Sequence, residues 1–91
     1  MQQTTQLIKE KTMEITDLYY GAYLLVRGNK LDDAHLKDEG YKKQVVFCFK
    51  GEDLLKSAHE YISGRAKANV NELRGHINHL KRLTFEILNK D

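Results

Sequence analysis

The segment from Gly40 to Gly64, GYKKQVVFCFKGEDLLKSAHEYISG, constrains the fold more than any other part of this chain. It reads as a turn, a strand, a tight turn and a helix in direct succession. KKQVVFCFK is dense in β-branched and aromatic residues, which suit the pleated strand. Alternation sets Val45, Phe47 and Phe49 on one face and Val46 and Cys48 on the other. Both faces are apolar, so the strand belongs at the centre of a sheet or under cover on both sides. Gly51 then turns the chain into a helix expected over Glu52 to Ser63. The carboxylates of Glu52 and Asp53 suit the positive end of its dipole. Leu54, Leu55, Ala58, Tyr61 and Ile62 make the expected buried stripe, and Gly64 ends it.

Upstream, DLYYGAYLLVRG predicts a helix that starts at Thr16 or Asp17, either of which can cap free backbone N–H groups, and stops at Gly28. This helix is apolar nearly all the way round. At about 100° per residue, Leu18, Ala22 and Leu25 share one face, with Tyr19, Tyr23 and Val26 beside it. Tyr20 and Leu24 point away from that face and need cover of their own. A second copy of the chain, giving a homodimer through Tyr20 and Leu24, is one expected cover; the N-terminal segment is the other.

Residues 30–37 read as an edge strand, whose Asp32, Asp33 and Lys37 discourage pairing with other chains. Asp38-Glu39-Gly40 supplies the hairpin turn. A last helix is expected from Asn71 to Leu88, with Leu73, Ile77, Leu80, Thr84, Ile87 and Leu88 as its core stripe. Residues 1–15 read as a tail with room for a short strand or helical turn, and residues 16–91 as one domain. The order helix, β-hairpin, helix, helix is that of a small α+β domain with the hairpin packed against helices.

At 91 residues there is enough chain for one modest core. No apolar run approaches the ~20 residues of a membrane span, and the first residues hold no hydrophobic stretch like that of a signal peptide. The single cysteine excludes an internal disulfide. Together these point to a reducing, cytoplasmic setting away from the membrane.

The chemistry-bearing patterns are few. There is no glycine-rich phosphate loop, no His-Glu-x-x-His and no cysteine pair, so the expectation is a non-enzymatic chain without a cofactor. His76 and His79 stand three apart on the last helix but lack neighbouring ligands, and no metal site is assigned. Cys48, in the middle of a hydrophobic strand, reads as a small buried packing residue. Asp32-Asp33 and Asp38-Glu39 read as solvated loop acids.

Charge distribution is more informative. Residues 1–64 hold nine Lys/Arg against ten Asp/Glu, whereas residues 65–91 hold six against three. On the last helix Arg74, Asn78, Lys81 and Phe85 line one flank of the core stripe, with Arg82 further out and Arg65 and Lys67 just before the helix. Cations meet phosphates and an aromatic ring stacks on a base, so this flank suits DNA or RNA. It also suits an acidic host protein anchored on Phe85. The plainer alternative folds Phe85 onto the core edge and spreads the basic stems over apolar surface.

DLYYGAYLLVRGNKL, KKQVVFCFKGEDLLKSAHEYISG and NVNELRGHINHLKRL together resemble a family of small bacterial and phage proteins known only as a domain of unknown function. The matching positions are Asp17, Tyr23, Leu24, Gly28, Phe47, Phe49, Tyr61, Gly64, Leu73, Arg74, Leu80 and Lys81. The resemblance spans about residues 16–88 and departs at the more charged DDAHLKDEGYKK. It implies a phage or mobile-element context and carries no activity. The resulting expectation is a binding module that contacts nucleic acid through the last helix. The alternative is a protein-interaction module, such as a phage-encoded inhibitor or adaptor of a host protein.

Overall fold

The computed structural model describes residues 11–90. They form β1 (Thr12–Ile15), α1 (Leu18–Val26), β2 (Lys30–Asp38), β3 (Lys43–Lys50), α2 (Leu54–Ile62) and α3 (Val70–Leu88), an α+β fold. The sheet is antiparallel with order β1-β3-β2, so the apolar strand singled out by the sequence is central. Thr12–Ile15, within the segment read as a tail, is an edge strand of that sheet. Residues 1–10 of that segment lie outside the described residues.

Helix boundaries follow local chemistry. Asp17 accepts from the backbone N–H groups of Tyr19 and Tyr20 at 2.9 and 3.1 Å and so caps α1. At its end Gly28 N–H donates to Leu25 O and Asn29 N–H to Leu24 O, the paired bonds of a Schellman stop, with Gly28 at φ 94°. The end of α2 repeats the device: Gly64 N–H donates to Tyr61 O and Arg65 N–H to Glu60 O. Asn69 caps α3 by accepting from Glu72 N–H at 3.0 Å.

β2 contains a bulge between Leu31 and Asp33. On its two sides Leu31 faces Phe49, Ala34 faces Phe47 and Leu36 faces Val45. The bulge therefore keeps all three apolar β2 residues on the face that carries the core. On that face Ile15, Val45, Phe47 and Phe49 pack with Ala22 and Leu24 of α1, Leu54 of α2 and Leu80 of α3. Helix α1 lies against α3, and α2 rests on the flank of α1. Among the described residues, all helical core contacts are made on this one side of the sheet.

Helix α1 passes close to Phe49 and Leu80 at Gly21. A Cβ there would stand 3.1 Å from Phe49 and 3.3 Å from Leu80. Against Gly51 lies a buried polar joint: Asn29 donates through Nδ2 to Leu24 O at 3.0 Å and to Ser57 Oγ at 3.2 Å. This joint ties the end of α1 to α2.

Three expectations are corrected here. Leu24 does not point outward; it is fully buried in the core cluster. Tyr20 is half-buried and stacks on Tyr61, with ring centroids 4.5 Å apart and planes 9° from parallel. The cover that α1 needs thus comes from within the chain, and the basis for self-association through Tyr20 and Leu24 falls away. In α2, Leu55 and Ile62 are exposed, and the buried stripe is Leu54, Ser57 and Ala58. The helix enters the core through Leu54 and otherwise rests on the flank of α1, tied there by the Ser57 joint. In α3, Leu88 is likewise exposed, while Leu83 packs against the core instead.

The packing at Gly21 predicts that Gly21→Val lowers stability by about 1–3 kcal/mol through overpacking against Phe49 and Leu80. Gly75, a helical position of α3 with open space where a Cβ would go, is the contrast. Gly75→Ala raises stability by roughly 0.5–1 kcal/mol. Urea unfolding of both variants checks the pair.

Candidate functional site

All seven residues named from sequence on or before the last helix are exposed: Arg65, Lys67, Arg74, Asn78, Lys81, Arg82 and Phe85. Arg74, Asn78, Lys81 and Phe85 recur at intervals of three or four, which places them in one row along α3. The row is turned away from Leu80, the residue of α3 that is buried in the core. Phe85 is 69% exposed, so it does not fold back onto the core edge. Val70 and Leu88, at the two ends of the same row, are exposed as well. None of the five cations pairs with a carboxylate among the described residues. Arg82 flanks the row, and Arg65 and Lys67 sit on the connection between α2 and α3.

Lys67 faces a different neighbourhood. It lines a recess of about 220 Å³ with Tyr19, Tyr23, Tyr61, Ala66, Ala68 and Leu73. Tyr23, in its lining, is tied to α2 through its hydroxyl. Tyr23 donates its hydroxyl to Glu60 Oε1 at 2.7 Å, and Arg27 Nε donates to the same oxygen at 3.0 Å. The Tyr23 hydroxyl bond holds the Glu60 carboxyl below its ordinary value; burial opposes this and the Arg27 charge adds to it. Burial, joined by the bond to Glu60, raises Tyr23 in turn. Tyr61 tilts against Tyr23 at 5.8 Å.

The second face of the sheet holds a group that the sequence reading did not assemble. Cys48 is half-buried on this face rather than packed in the core. Glu14 of β1 and Asp33 of β2 stand directly opposite it on either side, and His35 is opposite Val46 one position along. His35 Nδ1 and Asp33 Oδ2 are 2.9 Å apart, and Cys48 Sγ lies 4.0 Å from Glu14 Oε2. Burial, then the charges of Glu14, Asp33 and Asp32, pushes the Cys48 thiol up, which keeps it protonated and unreactive in this form. His76 and His79, half-buried and exposed respectively, belong to no such cluster among the described residues.

One sequence signal for this grouping existed. In KLDDAHLKD the apolar residues Leu31, Ala34 and Leu36 are spaced three and then two apart, a break in alternation that marks a bulge. Strict alternation from Leu31 would instead have turned Asp33 and His35 toward the core.

No protein-family model matches the chain, and no match was found among curated proteins or among solved structures. Among the described residues no helix is long and apolar enough to cross a membrane.

The Tyr23–Glu60–Arg27 joint predicts an acid-sensitive fold. The folded carboxyl titrates below its unfolded value, so its stabilisation is present above the ordinary value of about 4.5 and is lost as pH falls through the folded value. Glu60→Gln should flatten this part of the pH dependence, measured as the urea midpoint between about pH 6 and about pH 3.

Proposed function

We propose that this chain is a non-enzymatic binding module that holds single-stranded nucleic acid along the outer face of α3. The observation that carries the reading is Phe85, a large aromatic ring left 69% exposed in a row with Arg74 and Lys81. An exposed phenyl ring is costly to leave in water. Stacking with an unpaired base relieves that cost, while neighbouring cations take the phosphates on either side. A base inside a duplex offers no such face, which is why single strands are favoured.

The charge around α3 is uneven. The opposite side of α3 borders a groove where Asp32, Asp33 and Glu86 outnumber the one cation, Lys90, a balance less favourable to a phosphate backbone. A strand laid along the Arg74–Phe85 row thus follows one flank only. Arg82 extends the cationic surface beyond the row, and Arg65 is exposed on the connection before the helix, whereas Lys67 lines the tyrosine recess.

A second reading draws on Val70 and Leu88, the exposed apolar ends of the same row. They suit an acidic protein surface with Phe85 as anchor, as an inhibitor or adaptor of a host protein would use. Salt separates the two, because phosphate contacts release counterions and apolar anchors do not.

Three phosphate contacts, from Arg74, Lys81 and Arg82, predict a slope of about −2 in log affinity against log salt for a single strand, or roughly a twentyfold loss between ~50 and ~200 mM salt. Lys81→Glu combined with Arg82→Glu should abolish the complex in fluorescence anisotropy with labelled single-stranded DNA and RNA. Phe85→Ala should weaken it by ~1–3 kcal/mol while leaving the salt slope in place. No binding of either strand at low salt would sink the proposal.

A further inference from the structure

We infer that Cys48, His35 and Asp33, with Glu14 closing the set, form a binding site for a transition-metal ion of the zinc class on the second face of the sheet. A ligand atom from each of Asp33, His35 and Cys48 lies within 4.8 Å of those of the other two. The fourth donor, Glu14, approaches Cys48 from the opposite strand at 4.0 Å. The four residues come from all three strands, and the antiparallel ladder fixes their backbone positions without any loop.

The spacing suits a small tetrahedral ion. Bond lengths of about 2.0–2.3 Å imply ligand atoms roughly 3.3–3.6 Å apart. Among Asp33, His35 and Cys48 the separations run from 2.9 Å between His35 and Asp33 up to the 4.8 Å limit of the group, on both sides of that value; Glu14 stands outside this group and is near Cys48 alone. Asp33 and His35 are exposed and Cys48 only half-buried, so their side chains have room to adjust, and Glu14 must turn toward the ion to complete the set.

The donor set also selects the ion. A thiolate, an imidazole and carboxylates suit Zn²⁺ or Co²⁺, whereas Mg²⁺ and Ca²⁺ take oxygen ligands. Electrostatics point the same way. Asp32, Asp33 and Glu14 surround the thiol, and the nearby Lys50 ammonium is already engaged with Asp32 at 3.4 Å. A divalent cation offsets this crowding of negative charge. Its arrival forms the metal–sulfur bond, breaks the S–H bond and releases that proton to solvent.

The experiment is a Co²⁺ titration of the full chain under a thiol-free reductant, followed by Zn²⁺. The expected result is one ion per chain with a thiolate-to-cobalt charge-transfer band in the near ultraviolet, erased when Zn²⁺ displaces Co²⁺. Cys48→Ser should remove the band, and His35→Ala or Asp33→Asn should each weaken Co²⁺ binding by about tenfold or more. His35 and Asp33 are exposed, so their variants test the site even if Cys48→Ser fails to fold. Joint replacement of His76 and His79 by Ala should change nothing. The inference is overturned if saturating Co²⁺ gives no thiolate band, if the His35 and Asp33 variants bind as the parent does, or if binding is lost with His76 and His79 instead.

Discussion

The structure depends on how closely α1 and α3 can come down on Phe49. This ring lies at the middle of the sheet, with Met13 opposite it on one side and Leu31 on the other, and it is fully buried. Full burial of such a side chain contributes about 1.5–3 kcal/mol, but only if the helices leave it no void. Gly21 makes that possible, since a Cβ at this position would stand 3.1 and 3.3 Å from Phe49 and Leu80, tight enough to push them outward. Once α1 is seated there, Leu80 locks α3 over the same ring. The outer side of α3 is then fixed as a surface that no core contact requires.

Two surfaces of opposite chemistry follow from this one arrangement. The row from Arg74 to Phe85 is cationic and aromatic, and it is carried on a capped helix of nineteen residues. The second face of the sheet gathers Glu14, Asp33, His35 and Cys48. The first lies on the outer side of α3 and the second on the sheet. The tyrosine recess lies between α1 and the α2–α3 connection, held by the Tyr23–Glu60–Arg27 joint.

Much of the fold was legible because its signals are local. Asp17 and Gly28 mark α1, Gly64 marks the end of α2, and the β-branched and aromatic run marks β3, each through chemistry that acts within a few residues. The exposed row of α3 was also legible, since helical spacing alone places Arg74, Asn78, Lys81 and Phe85 together. The errors all concern which neighbour covers which side chain. Leu24 and Tyr20 had no visible cover in the sequence, because Tyr61 and the core cluster reach them only through tertiary packing. Ser57 was passed over as polar, yet it is buried because Asn29, 28 residues away, satisfies it. Leu55, Ile62 and Leu88 were placed in core stripes that the helices do not turn inward. β1 is short and weakly apolar, and its pairing with β3 is what makes it a strand.

The sequence by itself determined the elements, their order and their ends, because capping, turn chemistry and hydrophobic period are short-range effects. It also determined the basic, aromatic face of α3. Only the tertiary structure decided what shares the second face of the sheet. The bulge at Asp32 shifts the β2 register by one residue, and in a period of two that turns Asp33 and His35 from the core side to the Cys48 side. The shift is favoured because it brings Leu31, Ala34 and Leu36 together over Phe49, Phe47 and Val45. Burial of apolar area across strands is a property of the folded sheet, and it set the positions of the polar residues as a consequence.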